Sequence, residues 1–553
     1  IRQSLVGSEM CIRDRSHTGA AQGGMSAALA NVEEDNWNWH AFDTVKGSDY
    51  LADQPAVDIL CKEAIDAVIE LEHWGLPFSR LDNGKIAQRR FGGHTVKEGT
   101  SPAFRACYAA DRTGHMILQT LYQKCVSMGV TFFDEFQVLD IKIEDGICQG
   151  VVAYELATGD IHIFETRAVT FATGGFGKIF KVSSNAHSLT GDGPGILYQK
   201  GIPLEDMEFY QFHPTGIYRL GILLSEAARG EGGILRNKDG ERFMERYAPS
   251  IKDLAPRDMV SRAIATEISA GNGAGPDSDY VYLDLTHLGA ETIKKKLPDI
   301  TDFVRTYVKI EPIEEPIPVQ PTAHYAMGGI PTDVNSRVLS DEKGTVLPGV
   351  YAAGEAACVS VHGANRLGTN SLLDIVVFGK RAGQSMVDYV TQTKPNQLSD
   401  NASNDLTKKI TNLIEKEHTN EFSVAKIRKD LQDSMEENAK IFRTKETLEK
   451  QTEILEELRE RYENVTIYDK GKVHNSELVE AIELDYLLDM SEATVSSALA
   501  RNESRGAHSR QDYPDRDDTN FMKHSFAFKN ENSANLKYRD VELGKYEPME
   551  RKY

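Results

Sequence analysis

Residues 168–175 (AVTFATGG) join a strand-like run directly to a pair of glycines. A glycine turn at the end of a strand lets the backbone approach a bound nucleotide closely, because no Cβ projects from it. This pattern favours an α/β nucleotide-binding fold. Further strand-like runs are predicted at 130–133, 138–143, 150–154 and 349–353.

Two amphipathic helices are predicted among these strands. Asp53 and Pro55 are a typical N-cap and first-turn proline, and apolar residues then recur at helical spacing as far as Gly75. The second helix is predicted over 112–128 and ends before Gly129. Helices that alternate with strands indicate an α/β architecture.

A chain of 553 residues is too long for one hydrophobic core, so two to four domains are expected. Glycine-rich loops and polar turns between 209 and 322 predict a domain inserted into a nucleotide-binding domain of residues 16–208 and 323–394. From 395 to 510 the sequence is nearly all charged helix, with apolar residues at bundle spacing. A polar tail domain, 511–553, follows.

Composition excludes several classes of function. The formal charge of -21 opposes binding to nucleic acid, so a small anionic substrate needs a local cationic pocket. No window approaches the ~18 apolar residues of a membrane span. The six cysteines form no CxxC pair and no metal-ligand spacing, which predicts free thiols and no metal site.

Polar residues that can carry chemistry fall into short motifs spread along the chain. Taken singly, a histidine in a loop is usually solvated, an arginine is usually a surface charge, and a glycine turn is usually structural. The motifs are SHT at 16–18 with QGG at 22–24, ATGG at 172–175, TGDG at 190–193, QFHPT at 211–215, SEAARGEGG at 225–233, PRD at 256–258, PTAHYAMGG at 321–329, AGE at 353–355 and HGANRLGTNSLLD at 362–374.

In this order, over nearly the whole chain, these motifs resemble the succinate dehydrogenase and fumarate reductase flavoprotein family. The resemblance implies an α/β fold in which a Rossmann-like FAD-binding domain carries an inserted α+β capping domain. A helical domain and a C-terminal domain complete it. The implied reaction is oxidation of succinate to fumarate with hydride transfer to FAD, after which electrons pass to an iron–sulfur subunit and then to quinone.

The resemblance also implies how FAD is held. His17 is the residue whose family counterpart bonds covalently to the 8α carbon of FAD, which raises the flavin potential, and Glu355 is placed on the FAD ribose. The implied cofactor-binding residues are Ser16, His17, Thr18, Gln22, Gly23, Gly24, Thr173, Gly174, Gly175, Asp192, Glu355, Ser371 and Leu372.

A dicarboxylate must be fixed at both ends. By resemblance, Arg366 takes one carboxylate with a bidentate, charge-assisted fork, while His213, Ser225 and His324 hold the other. Many relatives carry threonine where Ser225 stands, and the hydroxyl is kept.

The proton acceptor implied by the family is Arg257. Deprotonating an arginine near pH 7 costs roughly 7 kcal/mol, so it cannot act alone. The resemblance supplies a relay in which Arg257 passes its proton to Glu226 and then to Arg229.

The family's partners are an iron–sulfur subunit and membrane anchor subunits. Since this chain has no cysteine pattern for a cluster, iron–sulfur clusters are expected on another chain. The implied location is peripheral, on the cytoplasmic face of a bacterial inner membrane, or alternatively on the matrix side of the mitochondrial inner membrane.

Three other functions are alternatives to succinate oxidation. Fumarate reductase runs the same chemistry in reverse, but Gln22 stands where reductases often have glutamate. L-aspartate oxidase lacks the covalent histidine motif, and residues 505–518 (RGAHSRQDYPDRDD) resemble the respiratory subunits. A non-catalytic scaffold would not need the complete set of acid/base and anchoring residues that this chain retains.

Residues 1–15 (IRQSLVGSEMCIRDR) match nothing in the family. The family has a strand, a GxGxxG turn and a helix that receives the FAD pyrophosphate in that region, and no GxGxxG occurs before Ser16. We therefore expect the chain as written to carry a foreign leader, to lack the first strand, to hold FAD weakly and to be inactive until a family N-terminus is restored.

Overall fold

Strands and helices alternate along the chain, which confirms the predicted α/β fold. The structure, a computed structural model, describes residues 16–394, 398, 401–419, 422–530 and 533–551. The predicted leader at 1–15 lies outside the described residues.

The strands are β1 (Met25–Ser26), β2 (Gln88–Val96), β3 (Ser101–Cys107), β4 (Phe136–Glu144), β5 (Ile147–Glu155), β6 (Ile161–Glu165), β7 (Val169–Phe171), β8 (Leu204–Glu205), β9 (Tyr210–Ile217), β10 (Ile234–Arg236), β11 (Val281–Asp284), β12 (Ile317–Ala326), β13 (Ile330–Pro331), β14 (Arg337–Leu339), β15 (Val346–Ala352), β16 (Ala357–Cys358), β17 (Phe442–Arg443), β18 (Ser509–Arg510), β19 (Lys523–Phe528) and β20 (Asn535–Asp540). The α-helices are α1 (Trp37–Gly47), α2 (Gln54–His73), α3 (Thr113–Ser127), α4 (Asp192–Gln199), α5 (Ala227–Gly230), α6 (Met244–Tyr247), α7 (Arg257–Ser269), α8 (Ala290–Lys296), α9 (Pro298–Tyr307), α10 (Asn370–Gln392), α11 (Asn404–Glu415), α12 (Val424–Asn438), α13 (Lys445–Glu463), α14 (Ser476–Ala500) and α15 (Asp518–Phe521).

Both predicted helices are confirmed. The first is α2, which begins one residue after Asp53 and ends just before Gly75, where the positive φ of 105° stops the helix. The second is α3, which lies inside the predicted span 112–128. The apolar stripe of α2 is buried against the rest of the fold and consists of Val57, Leu60, Ala64, Val68 and Leu71. Each buried side chain of the size of Val or Leu contributes about 1.5–3 kcal/mol.

Four of the five strand predictions are confirmed, as β4, β5, β7 and β15, and one is wrong. Residues 130–133 form no strand, although they are apolar and β-branched or aromatic. A strand needs a neighbouring strand to satisfy its backbone groups, and no segment within the described part of the chain pairs with 130–133. Phe132 instead packs against Tyr122, and Phe133 against Phe136.

The strands β7 and β15 lie side by side and parallel, with Val169 opposite Val350 and Phe171 opposite Ala352. Both therefore end at the same edge of their sheet. The glycine turns at 174–175 and at 354 follow directly, and in parallel sheets this edge is where ligands bind.

The predicted capping region has its own hydrophobic cluster, drawn from residues between Ile217 and Val319. Its antiparallel sheet has the order β10-β11-β12-β9, and α7 packs against β9. The strand β12 runs from this region through the predicted boundary at 322. The domain boundaries remain a prediction, but β12 joins the two regions rigidly at the point where His324 lies.

The region 395–510 contains the helices α11 to α14, and its predicted charged character is wrong for α14. This helix contacts α11, α12, α13, α4 and β19, so it is buried on most sides and carries apolar residues around much of its circumference. The C-terminal hairpin β19–β20 pairs through β19 with β8, which ties the tail to the nucleotide-binding region.

Candidate active site

One cavity of about 600 Å³ lies at the edge where β7 and β15 end. Its volume suits a bound cofactor and a small substrate. Most of the residues implied by the sequence line it. The implied cofactor-binding residues that line it are Ser16, His17, Thr18, Gln22, Gly23, Gly24, Thr173, Gly174, Glu355, Ser371 and Leu372; the implied substrate-binding and catalytic residues that line it are His213, Ser225, Glu226, Arg257, His324 and Arg366.

Three predicted residues do not line the cavity. Gly175 packs beneath it, since a Cβ there would lie 2.6 Å from Oε1 of Glu355. Asp192 begins α4, where it accepts a hydrogen bond of 2.7 Å from Thr190 Oγ1. Arg229 is buried behind Glu226. Cofactor contacts by Gly175 and Asp192 stay predictions.

Arg257, Glu226 and Arg229 form a buried line. The Nε of Arg257 donates to Oε2 of Glu226 at 2.8 Å, and Nη2 of Arg229 lies 3.6 Å from the same oxygen. Arg257 is the first residue of α7, and Glu226 and Arg229 lie three residues apart on the short turn α5, which places both on one face. The backbone N–H of Gly92 donates to Oε1 of Glu226 at 2.9 Å.

The charges of this line are set by competing effects. Burial alone would raise the pKa of Glu226, but Arg229 and Arg257 outweigh it and lower that pKa below its ordinary value. Burial lowers the pKa of Arg229. Glu226 is therefore an ionised carboxylate in direct contact with one arginine and close to another.

His213 and His324 face each other from adjacent strands. His213 lies on β9 and His324 on β12, and their rings are 5.1 Å apart in a T-shaped arrangement. Burial and then Arg257 lower the pKa of both imidazoles well below their usual range, so both are neutral at pH 7. Ser184 Oγ lies 2.8 Å from Nδ1 of His324, and Nε2 of His213 has no partner among the described residues.

Arg366 reaches the cavity from the loop before α10. Its guanidinium carbon lies 4.2 Å from the centre of the Tyr325 ring, and its Nε is buried without a partner within the described ranges. Burial and the neighbouring Arg257 lower the pKa of Arg366 to about 9. It still carries its positive charge at pH 7.

The cationic side of the cavity is not neutralised. Glu355 also borders it, but burial raises the pKa of that carboxyl to about 8, so it is mainly protonated at pH 7. Arg257, Arg366 and Arg229 then face one carboxylate, Glu226. A dianion is the complementary ligand.

His17 also lines the cavity, and its ring centre lies 5.2 Å from that of His324. Its Nε2 is 3.6 Å from a carboxyl oxygen of Glu355, and Nδ1 is 3.4 Å from the side-chain nitrogen of Asn185. Burial, followed by Arg366 and Arg257, lowers the pKa of His17 to about 4. A neutral imidazole keeps a nitrogen lone pair and is a competent nucleophile.

The part of the cavity lined by Gln22, Gly174, Ser371 and Leu372 fits a nucleotide cofactor. Oε1 of Gln22 is buried and has no hydrogen-bond partner among the residues described. Gly174 has a φ of 77°, and a Cβ there would lie 2.3 Å from Leu189. Ser371 and Leu372 lie in the first turn of α10, where backbone N–H groups have no partner within the helix. Polar donors, an orphaned acceptor and a glycine turn are what FAD requires.

Several residues of this site were not predicted from the sequence. Phe91, Leu223 and Thr369 line the cavity, and Asn185 joins His17 to the backbone of His324. The glycine pair after Phe91 was the one available signal, because such pairs mark close backbone approach.

Away from the cavity, Glu205, Asp206 and Cys358 bring potential metal-ligand atoms within 4.8 Å of one another. His524 lies 2.7 Å from Asp206, and Arg539 donates to Glu205 at 2.8 Å. Protein cations therefore already pair with both carboxylates.

Comparison with known proteins identifies the fold and the family. Residues 12–372 match the family model described as an FAD binding domain, and residues 428–553 match the one described as fumarate reductase flavoprotein C-term. The expectation that residues 1–15 match nothing in the family is therefore wrong for residues 12–15. The chain is 50% identical over 536 residues to the succinate dehydrogenase flavoprotein subunit of Rickettsia conorii, covering 96% of this chain and 89% of that protein.

Fumarate reductases are also similar. The fumarate reductase flavoprotein subunit of a Serratia species is 42% identical over 557 residues, covering 98% of this chain and 90% of that protein. A solved structure of a variant of E. coli quinol fumarate reductase superposes with a TM-score of 0.90 at 39% identity, covering 97% of this chain and 92% of that chain. The chain therefore belongs to the succinate dehydrogenase and fumarate reductase flavoprotein family and is an FAD-dependent oxidoreductase.

Proposed function

We propose that this chain oxidises succinate to fumarate as the flavoprotein subunit of a succinate dehydrogenase. The observation that supports it best is the convergence of two arginines, Arg257 and Arg366, and two neutral histidines on one cavity that His17 also lines. That cavity offers positive charge to both ends of a dicarboxylate.

Substrate binding is assigned to buried donors that lack partners. Arg366 takes one carboxylate, and its unpartnered Nε is a donor that this carboxylate would satisfy. His213, through its unpartnered Nε2, holds the other carboxylate together with His324 and the Ser225 hydroxyl. Fixing both ends restricts the central carbon–carbon bond to one orientation.

Proton transfer is assigned to Arg257, Glu226 and Arg229. Arg257 accepts a proton from the substrate carbon while its Nε proton moves along the 2.8 Å contact to Glu226. Glu226 is ionised and can receive it, and Arg229 lies next in line. No neutral arginine accumulates, so the full cost of roughly 7 kcal/mol for an isolated arginine base is not incurred.

FAD, which we propose is bound covalently through His17, supplies the hydride acceptor when bound. His17, Glu355 and the turn at Gly174 would hold it. In-gel flavin fluorescence under denaturing conditions tests the bond, since only a covalent adduct survives. We expect a fluorescent band from the wild-type protein and none from His17→Ala; fluorescence in the variant would refute the attachment.

Fumarate reduction is the alternative direction. The identity of 50% to a dehydrogenase subunit against 42% to a reductase subunit favours succinate oxidation, and so does Gln22. L-aspartate oxidase and a non-catalytic scaffold remain less favoured, because the covalent-attachment motif and the acid/base residues are all present.

We further propose that an iron–sulfur subunit and membrane anchor subunits accept the electrons and pass them to quinone. No helix in the described ranges is long and apolar enough to cross a membrane. Anchoring would then depend on the partner subunits, with this chain peripheral on the cytoplasmic face of a bacterial inner membrane, or on the matrix side of the mitochondrial one.

Anaerobic stopped-flow reduction of the bound flavin tests the proposed reaction. Succinate should bleach the flavin absorbance, and fumarate should appear in equal amount. L-aspartate under the same conditions is the control for the oxidase alternative. Bleaching by aspartate but not by succinate would contradict the proposed function.

A further inference from the structure

Gln211 lies between the two arginines that border the cavity, although it does not line the cavity itself. Its Oε1 accepts from Nη1 of Arg257 at 3.1 Å and from Nη2 of Arg366 at 3.2 Å. The side chain is fully buried. One oxygen on β9 therefore links the start of α7 to the loop before α10.

The orientation of this amide is fixed by its other end. Nδ2 of Asn365 donates to the backbone oxygen of Gly47 at 3.1 Å, so Oδ1 of Asn365 must face Gln211. Nε2 of Gln211 donates to that Oδ1 and to the backbone oxygen of Arg366, both at 2.8 Å. These two partners only accept, so Oε1 must face the arginines.

A neutral acceptor has a different electrostatic effect here from a carboxylate. Two buried guanidinium groups repel each other, and the amide oxygen satisfies a donor of each without cancelling either charge. A carboxylate in the same place would form two charge-assisted bonds and would compete with the substrate. Residue type and geometry agree: the position requires an acceptor but tolerates no charge.

We propose that Gln211 is a positioning residue that holds Arg257 and Arg366 at a fixed separation through one neutral oxygen, leaving both positive charges available to a dicarboxylate. This inference rests on the proposed function of the same cavity. It assigns to Gln211 a role in the affinity and specificity of the site for dianions.

Isothermal titration of malonate into the full-length protein tests the inference, with Gln211→Glu and Gln211→Leu beside wild type. We expect Gln211→Glu to weaken malonate binding by about 10- to 100-fold, the equivalent of one lost hydrogen bond to a charged group. Gln211→Leu should weaken it by up to about 10-fold, because the guanidinium groups keep their charge and lose their alignment.

Gln451→Glu is a matched control. Gln451 is equally buried, donates to Ser434 and accepts from Asn438 between α12 and α13, and does not border the cavity. Malonate affinity should be unchanged in it. The unfolding temperature of each variant shows whether a loss of malonate binding comes from a loss of folding. Each of the two Gln211 variants is a test by itself if the other fails to fold.

A pH series gives a readout that a purely structural role would not produce. Malonate binding should weaken as Arg366 loses its proton, near the pKa of about 9. Gln211→Glu adds a negative charge and should move this alkaline limit upward, whereas Gln211→Leu removes an acceptor and should move it downward. The other charged or titratable groups facing Arg366 are the same in all variants: Arg257, Glu226, Tyr325, Glu355, His17, His213 and His324.

The outcomes separate the two proposals. Equal malonate affinity and an unmoved alkaline limit in both Gln211 variants would overturn the positioning role while leaving the proposed function intact. If wild type bound no malonate, the proposed function would fail instead. Crystal structures of wild type and Gln211→Leu would then decide the inference: displaced guanidinium groups support it, and unchanged positions refute it.

Discussion

Arg257 makes one contact on which its proposed role depends, the 2.8 Å bond from Nε to Glu226. Arg257→Lys keeps the charge but places no donor at the Nε position, so the proton path is broken. We expect the rate of flavin reduction by succinate to fall at least about 100-fold, as for loss of a general base, while unfolding temperature changes little. Stopped-flow absorbance measures the rate.

A neighbour on the same helix provides the control for that substitution. Arg262 lies further along α7 and donates to Asp258, outside the cavity. Arg262→Lys should reduce its flavin at the wild-type rate. An Arg257→Lys protein that did the same would remove Arg257 from the mechanism.

Arg366 is expected to act on binding rather than on proton transfer. Arg366→Gln removes the positive charge but leaves one amide donor, so the loss is about that of one charge-assisted bond, about 1.5–3 kcal/mol. The dissociation constants of succinate, malonate and oxaloacetate should therefore rise together by about 10- to 100-fold. Competitive inhibition of flavin reduction measures all three. Malonate binding that stays unchanged would place the second anchor elsewhere.

Residues with their own chemistry were predictable from the sequence, and residues that act through geometry were not. His17, His213, Arg257 and Arg366 stand in recognisable motifs, and the structure brings all four to one cavity. Gly92 acts through a backbone N–H on Glu226, a residue 134 positions away. The glycine pair after Phe91 indicates a close backbone approach, but no local pattern identifies its partner, because the partner depends on how distant elements pack.

At the scale of elements, the spacing of apolar residues and the residues that begin and end a helix predicted a helix correctly where all of these signals agreed. The helix α2 has a cap, a first-turn proline, a buried stripe and a terminal glycine, and all four agree. Residues 130–133 have strand-forming side chains but no strand beside them in the described chain. The helix α14 was predicted to be charged because its sequence contains acidic residues. In the structure some of these residues pair with cations of other elements, as Asp489 does with Arg459, so they are compatible with burial.

The hairpin β19–β20 supplies an element-scale prediction through His524. This buried histidine contacts Asp206 at 2.7 Å and Asp53 at 3.2 Å, and these carboxylates outweigh burial and hold its pKa well above its ordinary value. Its stabilising effect is then complete below pH 6.5 and is lost as pH rises through the folded-state pKa. His524→Gln should destabilise the fold by about 3–5 kcal/mol at pH 6 and by progressively less at higher pH.

Urea unfolding at pH 6 and pH 9, with hydrogen exchange of the β19 amides, measures this effect. His73→Gln is the control, because His73 is exposed at the end of α2. A destabilisation that was the same at both pH values would show that the histidine contributes packing and not charge.

At the scale of the whole molecule, the charge that borders the cavity is opposite in sign to the net charge of the chain. The chain carries a net charge of -21, yet Arg257 and Arg366 border the cavity, and Arg229 is buried behind the single ionised carboxylate Glu226. Long-range repulsion of anions and local attraction of a dianion therefore coexist. Under the proposed function, selection for a small dicarboxylate would be set by the buried pocket, where salt screens weakly, and not by the surface.

The direction of turnover also belongs to the whole molecule, since in the proposed complex electrons leave through partner subunits. Gln22 borders the cavity with its Oε1 unpartnered among the described residues and contributes no charge. A carboxylate there would oppose electron uptake by the flavin. A unit charge about 10 Å away, at an effective dielectric constant of about 20, shifts a two-electron potential by on the order of 30 mV.

We therefore expect the assembled wild-type complex to oxidise succinate with quinone faster than it reduces fumarate with quinol. Gln22→Glu should lower the flavin midpoint potential by roughly that amount and move the ratio of the two rates toward fumarate reduction. Spectroelectrochemical titration and paired assays of one preparation measure both quantities, and a wild-type complex that reduced fumarate faster would assign the protein to the reductases.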